Sequence, residues 1–314
     1  MMTDSASQDH YYMQTALNLS LRGQGNTWPN PSVGTIIVKN KNVISRGWTQ
    51  PNGRPHAEVV ALKKNKKLFK GATLYSTLEP CSHFGKTSPC VDLIIKAKIR
   101  RVVIATLDPN PKVNGKGIKK LKKNNIKVTL GILEKKAKKI NLGFFQKITK
   151  NIPSISTKIA ISKNGKISDP NKRWITSEHS RLYGHFLRAK YDAVLTGINT
   201  VLKDNPLLTC RLSGMEKYSP IRIILDSDLK IRENLKIVKT SRKIKTYIFT
   251  SNNLNKMKIK NIENIELSFL TLEDYQELKA AMIQAYVTMP DMYWREEQIK
   301  ILIWRIVQSN NQLI

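Results

Sequence analysis

Apolar residues recur at helical spacing between Tyr11 and Leu21, and the pattern then changes. GTIIV (34–38) and VISRGW (43–48) are short apolar runs separated by the turn-rich Lys39–Asn42, which predicts a hairpin. His56 to Lys64 returns to helical spacing, and ATLYSTLEP (72–80) predicts a strand that runs into a loop. The pattern continues with a helix over VDLIIKAKI (91–99), a buried strand over RVVIATLDP (101–109) and a basic helix over 117–125. IKVTLGIL (126–133) predicts a last strand, and Glu134 to Ile140 a lysine-rich helix. Such alternation is the signature of a layered α/β domain.

Pro153 stops this unit, and strand-like runs restart at 155. STKIAIS (156–162), AVLTG (193–197), IRIILDS (221–227), KTYIFTS (245–251) and IELSFL (265–270) predict strands, with helices over 177–190 and 272–286. The expected division is a first domain at 1–148, a second at 149–288 and an aberrant tail at 289–314. That tail carries two of the five tryptophans and no glycine, where a second α/β unit should continue.

A length of 314 residues fits two domains, and 40% apolar residues suffices for ordinary cores. There is no run of eighteen apolar residues, and the N-terminus lacks the basic start and apolar stretch of a secretion signal. The expectation is a cytoplasmic protein without membrane partners. A net charge of +31 raises the question of nucleic acid. The excess is mostly dispersed lysine amid many Asn and Ile, and arginines do not cluster, so solvated surface is the better reading.

The chemistry concentrates in RPHAEVVAL (54–62) and EPCSHFGKTSPC (79–90). Three cysteines cannot all pair, and a reducing compartment favours thiolates for a metal over a disulfide. Cys90 follows Pro89 and opens a helix, where unpaired N–H groups favour a thiolate. One imidazole, His56, with two thiolates, Cys81 and Cys90, makes a three-ligand site with an open fourth position, the catalytic zinc pattern. Glu58, two residues from His56, can face that position and carry a proton. H-x-E followed by P-C is the signature of nucleobase deaminases. The bland alternative is a surface His56, two buried free cysteines and a capping Glu58. His83 either contacts substrate or only fills the loop, and Cys210 reads as an ordinary free thiol.

These residues resemble one family, the bifunctional deaminase–reductase of riboflavin biosynthesis. The match lies in PCSHFGKTSPC with its long linker, in WPNPSVGTIIV (28–38), HAEVVAL (56–62), TLEPCSH (77–83) and DPNPKVNGKGI (108–118). It continues in KIAISKNGKIS (158–168), RWITS (173–177), LRAKYDAVLTGINTVLKDNPLLTCR (187–211) and PIRIILDS (220–227). The resemblance implies a cytidine-deaminase-like three-layer α/β/α domain followed by a dihydrofolate-reductase-like α/β domain. It implies zinc on His56, Cys81 and Cys90, with Glu58 as proton shuttle and Asn30 holding the pyrimidine. The implied reaction is deamination of 2,5-diamino-6-(5-phosphoribosylamino)-4(3H)-pyrimidinone, followed by NADPH-dependent reduction of the ribosyl group to ribityl. Ala160, Trp174, Thr200, Asp204 and Ser227 match dinucleotide positions; Arg188, Leu208 and Arg211 match substrate positions. Without the resemblance, Arg188 would read as solvated and Trp174 as core. The family also suggests a homodimer.

Two departures stand out. SKNGKISDPNKRWITS is shorter than the family's stretch and carries Asn164 and Lys172 where Asp and Ser are common. The family's Glu-Gly-Gly turn, which wraps dinucleotide phosphates, is absent, and a glycine-free tail cannot supply that close backbone approach. A tail read out of frame, or a divergent amphipathic helix, is the expectation, with an incomplete reductase sheet. Two other functions compete: a deaminase acting on tRNA, and a non-catalytic zinc-stabilised remnant. The long linker and the second half argue against the first, and intact His56, Glu58, Cys81 and Cys90 against the second.

Overall fold

The structure, a computed structural model, describes residues 4–63, 66–85, 88–162, 164–166, 169–172, 174–250, 265–269 and 304–305. It divides into two compact units, Met1–Ile152 and Pro153–Ile314. The division falls where the last helix of the first unit ends on Asn151 in the left-handed region, with Pro153 two residues on, a combination that stops a helix.

The first unit opens with α1 (Asp4–Ser20), followed by the hairpin β1 (Gly34–Lys39) and β2 (Asn42–Trp48). Then come α2 (Ala57–Ala61), β3 (Thr73–Ser76), α3 (Cys90–Lys96), β4 (Arg101–Ile104), α4 (Lys116–Lys123), β5 (Lys127–Leu130), α5 (Glu134–Ile140) and α6 (Leu142–Lys150). The sheet order is β2-β1-β3-β4-β5, with β1 antiparallel to both neighbours and β3, β4 and β5 parallel. Alternation along the strands feeds two cores. Ile37, Leu74, Val102 and Ile104 face Ala61, Val91, Ile94 and Leu121 of α2, α3 and α4. Ile36, Val38, Tyr75 and Val103 face Met13, Ala16 and Leu17 of α1 and Ala137 of α5. Helices thus cover both faces of the sheet, as expected of a three-layer domain. The expected strands at 72–80 and 101–109 end early, at Ser76 and Ile104. The residues beyond them leave the ladder to build the site.

The second unit contains β6 (Ser154–Ile155), α7 (Glu178–Lys190), β7 (Ala193–Gly197), α8 (Ile198–Asp204), β8 (Ile221–Leu225), α9 (Lys236–Lys239), β9 (Thr246–Thr250), β10 (Ile265–Phe269) and β11 (Trp304–Arg305). Its sheet runs β10-β9-β8-β7-β11-β6, and the four strands from β10 to β7 are mutually parallel. Val194, Ile224 and Ile248 pack on one face against Ile198 and Val201 of α8 and Ile237 of α9. Arg222 is fully buried within β8. Its guanidinium donates to the carbonyls of Leu207, Ile237 and Ile244 and to the hydroxyls of Thr240 and Thr246.

The strand expected at 156–162 is a correction: regular pairing covers Ser154–Ile155, and 156–162 is irregular. The K-I-A-I alternation fits a strand, but pairing needs a neighbouring ladder, and among the described residues that segment has none. Helices α8 and α9, of seven and four residues, are too short to leave a periodic signal in sequence. The helix expected at 272–286 lies outside the described residues. Of the tail 289–314, the described residues are Trp304 and Arg305, which pair antiparallel with β6 and β7.

Candidate active site and metal centre

His56, Cys81 and Cys90 come from three separate segments. His56 immediately precedes α2, Cys81 lies in the loop beyond β3, and Cys90 is the first residue of α3. Their ligand atoms all lie within 4.8 Å of one another. His56 Nδ1 is 3.7 Å from Cys81 Sγ and 3.4 Å from Cys90 Sγ. A tetrahedral zinc with the usual Zn–S and Zn–N bonds would set these separations at about 3.6 Å. The donor set and its spacing therefore fit zinc without rearrangement.

The electrostatics agree with a ligand role. The Cys90 backbone N–H donates to Cys81 Sγ at 3.3 Å. Hydrogen bonding from Cys90, reinforced by His56, brings the Cys81 thiol down to about 4. The neighbouring thiolate and burial hold the Cys90 thiol well above its usual value. The hydrogen bond with Cys81 raises the His56 imidazole. Cys81 is thereby disposed to the thiolate, and a divalent cation bound here would displace the remaining protons of the cluster.

Glu58 sits in the first turn of α2, 4% exposed, and burial pushes its carboxyl above the usual carboxylate range. Its Oε1 lies 3.5 Å from Ser76 Oγ, at the end of β3. Asn30 forms a wall of the same site: its Nδ2 donates to the Gly53 carbonyl at 2.9 Å and lies 3.5 Å from His56 Nε2. Gly53 has a φ of +75°, and a Cβ there would come within 2.7 Å of the Asn30 side chain. The close approach that orients Asn30 thus requires glycine. His83 is exposed, two residues past Cys81, beside the 77% exposed Phe84.

Two buried carboxyls escaped the sequence reading, although their motifs were noticed. Glu79 accepts from the backbone N–H groups of Gly115 at 2.9 Å, Ile118 at 3.2 Å and Asp108 at 3.4 Å. It ties the turn before Cys81 to the start of α4. Asp108 accepts from the Asn110 N–H at 2.8 Å, and its carboxyl is pushed up to about 6, chiefly by burial. The only sequence signal for either was a charged residue at the end of an apolar strand.

In the second unit, Arg188 on α7 and Arg211 after α8 meet around His185. Arg188 Nη1 is 3.1 Å from His185 Nδ1 and donates to the Thr209 carbonyl at 3.3 Å, while the Arg211 N–H donates to His185 Nδ1 at 3.2 Å. Burial, then the two guanidinium charges, hold His185 below its usual value and so neutral. The Arg188 Nε is buried without a hydrogen-bond partner, a donor left for a ligand. Arg188 is thus half-buried, not a solvated side chain. Leu208 is buried with a φ of 55°, a left-handed conformation costly for a side chain of this kind. Thr200 and Asp204 lie on α8, directly beyond β7, and Ser227 lies just beyond β8. These positions share the C-terminal edge of two parallel strands, where open α/β sheets bind ligands. The Asp226 carboxylate accepts from the Lys230 and Ile231 N–H groups and so fixes the loop that carries Ser227. Ala160 lies in the irregular segment after β6, and Trp174 is 55% exposed beneath the Arg181 guanidinium, which is 5.3 Å from its ring centre. Trp174 is therefore not core.

Comparison with known proteins matches the two halves to two families in this order. Residues 6–106 match the cytidine and deoxycytidylate deaminase zinc-binding region, and residues 153–292 the RibD C-terminal domain. The riboflavin biosynthesis protein RibD of Aquifex aeolicus is 43% identical over 270 residues, covering 85% of this chain and 76% of that protein. RibD of Buchnera aphidicola is 46% identical over 247 residues, covering 74% of this chain and 66% of its own length. Among solved structures, the Thermotoga maritima diaminohydroxyphosphoribosylaminopyrimidine deaminase/5-amino-6-(5-phosphoribosylamino)uracil reductase aligns with a TM-score of 0.77 at 36% identity. That alignment covers 90% of this chain and 79% of the other. RibD of Acinetobacter baumannii aligns similarly, with a TM-score of 0.76 at 35% identity, covering 89% and 79%.

Proposed function

Because the chain belongs to the RibD family of riboflavin biosynthesis proteins, with a deaminase zinc-binding region followed by a RibD C-terminal domain, we propose that it performs two successive steps on one small phosphoribosyl pyrimidine. The first is hydrolytic deamination of the diaminopyrimidinone, and the second is reduction of the ribosyl chain of its product with NADPH. The observation that carries the first step is the cluster of His56, Cys81 and Cys90 with the buried Glu58 beside it.

His56, Cys81 and Cys90 hold the zinc, which when bound supplies Lewis-acid activation of water. Glu58 moves the protons. Burial raises its carboxyl above the usual carboxylate range, which strengthens it as a base, so it can accept the proton of the incoming water and return it to the departing amino nitrogen. Water and the diamino substrate thus yield the uracil product and ammonia. Asn30, held by the Gly53 carbonyl, orients the pyrimidine ring, and His83, in the loop past Cys81, contacts the substrate.

In the second unit, Arg188 and Arg211 grip the substrate phosphate. Each offers a planar fork suited to phosphate oxygens, and Leu208 shapes the wall between them. NADPH supplies the reducing equivalents along the C-terminal edge of β7 and β8, against Thr200, Asp204 and Ser227, with Ala160 and Trp174 as further contacts. No helix among the described residues is long and apolar enough to cross a membrane. A cytoplasmic homodimer is the setting proposed for both steps.

The test is ammonia release from the diamino substrate by the zinc-loaded full chain. Replacing Glu58 by Gln is expected to lower kcat by about a hundredfold to ten-thousandfold, with one zinc per chain retained. Retained zinc without ammonia release from the unmutated chain would overturn this reading in favour of a non-catalytic remnant.

A further inference from the structure

A second cavity, of about 350 Å³, opens on the first unit at the far end of the sheet from the metal cluster. It is lined by the end of β1 with its turn, by the segments entering β3 and β4, and by α1. Cys81, in contrast, lies beyond the exit of β3. Thr73, at the entry of β3, lines the cavity, whereas Ser76, at its exit about 10 Å along the strand, lies beside Glu58.

The floor is a closed network. Asp9, 4% exposed, accepts from Arg101 Nη1 at 3.0 Å and Nη2 at 2.6 Å, and from the Tyr75 hydroxyl at 2.8 Å. Arg101 Nη2 also donates to Thr129 Oγ1. The Arg101 charge cancels that of Asp9. The rim is a different matter. Lys39, Lys41, Lys70 and Arg100 converge on the cavity from three separate segments. Among the described residues, none of the four is in an ion pair. Lys39 Nζ donates to the Leu68 carbonyl at 3.2 Å.

This arrangement differs from the lysines spread over the rest of the surface. On α4, for instance, Lys116, Lys119, Lys122 and Lys123 are exposed along one helix and Lys120 pairs with Asp92. Here the fold gathers four uncompensated cations around one concavity. The backbone makes the same point at the β1–β2 turn. Asn40 and Lys41 both have positive φ, 50° and 60°. Two-residue turns of that kind favour glycine at the second position. Lysine there is strained, yet the turn is pinned, because the Tyr12 hydroxyl donates to the Lys41 carbonyl at 2.7 Å. The hairpin turn and this bond together hold Lys41 at the cavity rim.

We infer that this cavity binds a compact diphosphate group, with Lys41, Lys70 and Arg100 as its principal cations. Four uncompensated positive charges around a small polar-lined space match a group carrying three or more negative charges. A carboxylate ligand would satisfy only one or two of them. The source is either free pyrophosphate or the diphosphate of a nucleotide. The site is independent of both reaction steps assigned to the protein.

The experiment is calorimetric titration of the zinc-loaded full chain with inorganic pyrophosphate and, separately, with ADP, in about 0.15 M salt so that diffuse attraction is screened. Saturable binding of one pyrophosphate per chain is expected. The triple variant Lys41→Ala/Lys70→Ala/Arg100→Ala should weaken it by at least about tenfold, since each lost cation removes a close charge contact. All three side chains are exposed, so the variant should fold, and unchanged ammonia release would verify that. A control triple, Lys119→Ala/Lys122→Ala/Lys123→Ala, removes the same charge from α4 and should leave the affinity within about twofold. ADP binding tighter than pyrophosphate and weakened by the Lys41/Lys70/Arg100 triple identifies a nucleotide as the source, and equal affinity, likewise weakened by that triple, identifies the diphosphate alone; binding that the triple leaves unchanged belongs to the second unit's dinucleotide and phosphate positions and overturns the proposal. Absence of saturable binding by either probe, or equal weakening by the two triple variants, would overturn it.

Discussion

Glu79 offers the most direct test of how the fold holds the metal turn in place. Its carboxylate receives the N–H groups of Gly115 and Ile118, the first backbone donors of α4, at 2.9 and 3.2 Å. A third, from Asp108 at 3.4 Å, is long enough to leave out of the reckoning. The carboxylate thus caps α4 and interacts favourably with its dipole. Gly117 lets the helix approach so closely that a Cβ there would lie 2.4 Å from the Pro80 carbonyl oxygen. In Glu79→Ala, two charge-assisted bonds disappear and two partly buried donors lose their partners. At about 1.5–3 kcal/mol each, the loss is about 3–6 kcal/mol, a large share of the total stability of a typical domain. With a urea slope of about 1–3 kcal/mol per molar, the midpoint of the first unit should fall by at least about 1 M. Amide exchange across 108–123 should accelerate in native buffer, because the cap is lost before the sheet opens. Glu79→Gln keeps one acceptor but turns an N–H toward a backbone N–H, so it should fall between the parent and Glu79→Ala. Ammonia release should decline in the same order, since Pro80 and Cys81 follow directly. A midpoint shift below about 0.3 M for Glu79→Ala, with unchanged exchange at 108–123, would refute the capping argument.

Further predictions address the other buried charges. Burial lifts the Asp108 carboxyl from 3.8 to about 6, so the folded chain holds this proton more tightly than the unfolded chain. Its ionisation therefore lowers stability as pH rises from about 4 to 6, by an amount on the order of 3 kcal/mol. Asp108→Asn, which keeps an acceptor for Asn110, should raise the unfolding midpoint at pH 7.5 and leave it nearly unchanged below pH 4; equal shifts at both would be contrary. Arg222→Ala strands the carbonyls of Leu207, Ile237 and Ile244 and should cost about 3–5 kcal/mol. Because that loss lies within the second unit, limited proteolysis should digest 153–250 while ammonia release persists; loss of both activities together would count against independent units. Arg188→Ala should raise KM for the deaminated phosphoribosyl substrate in an NADPH-oxidation assay by about tenfold or more, with little change when a dephosphorylated analogue is used. An equal effect on both substrates would assign Arg188 a structural role.

Much of this protein is legible in the chain itself. The alternation of strand and helix patterns, the break at Pro153 and the hairpin at 34–48 follow from side-chain periodicity and turn chemistry, which act locally. The grouping of His56, Cys81 and Cys90 was legible for a related reason: a metal ligand set needs specific residue types at specific spacings, and few other purposes produce them. What the sequence did not disclose depends on partners far along the chain. The strand expected at 156–162 has the right pattern but, among the described residues, no ladder beside it, and Trp304–Arg305 pairs with β6 and β7 from more than 100 residues further along the chain. Glu79 and Asp108 became legible only when the strands ended early and α4 folded back over them. His185 entered the second site because α7 carries it to the segment at 209–211. Likewise, Lys41, Lys70 and Arg100 are unremarkable in a lysine-rich sequence, and only the convergence of three chain segments makes them one site. Local pattern determines which elements form and which chemistry is available. Tertiary packing decides which charges are stripped of water and which meet, and so where that chemistry can act.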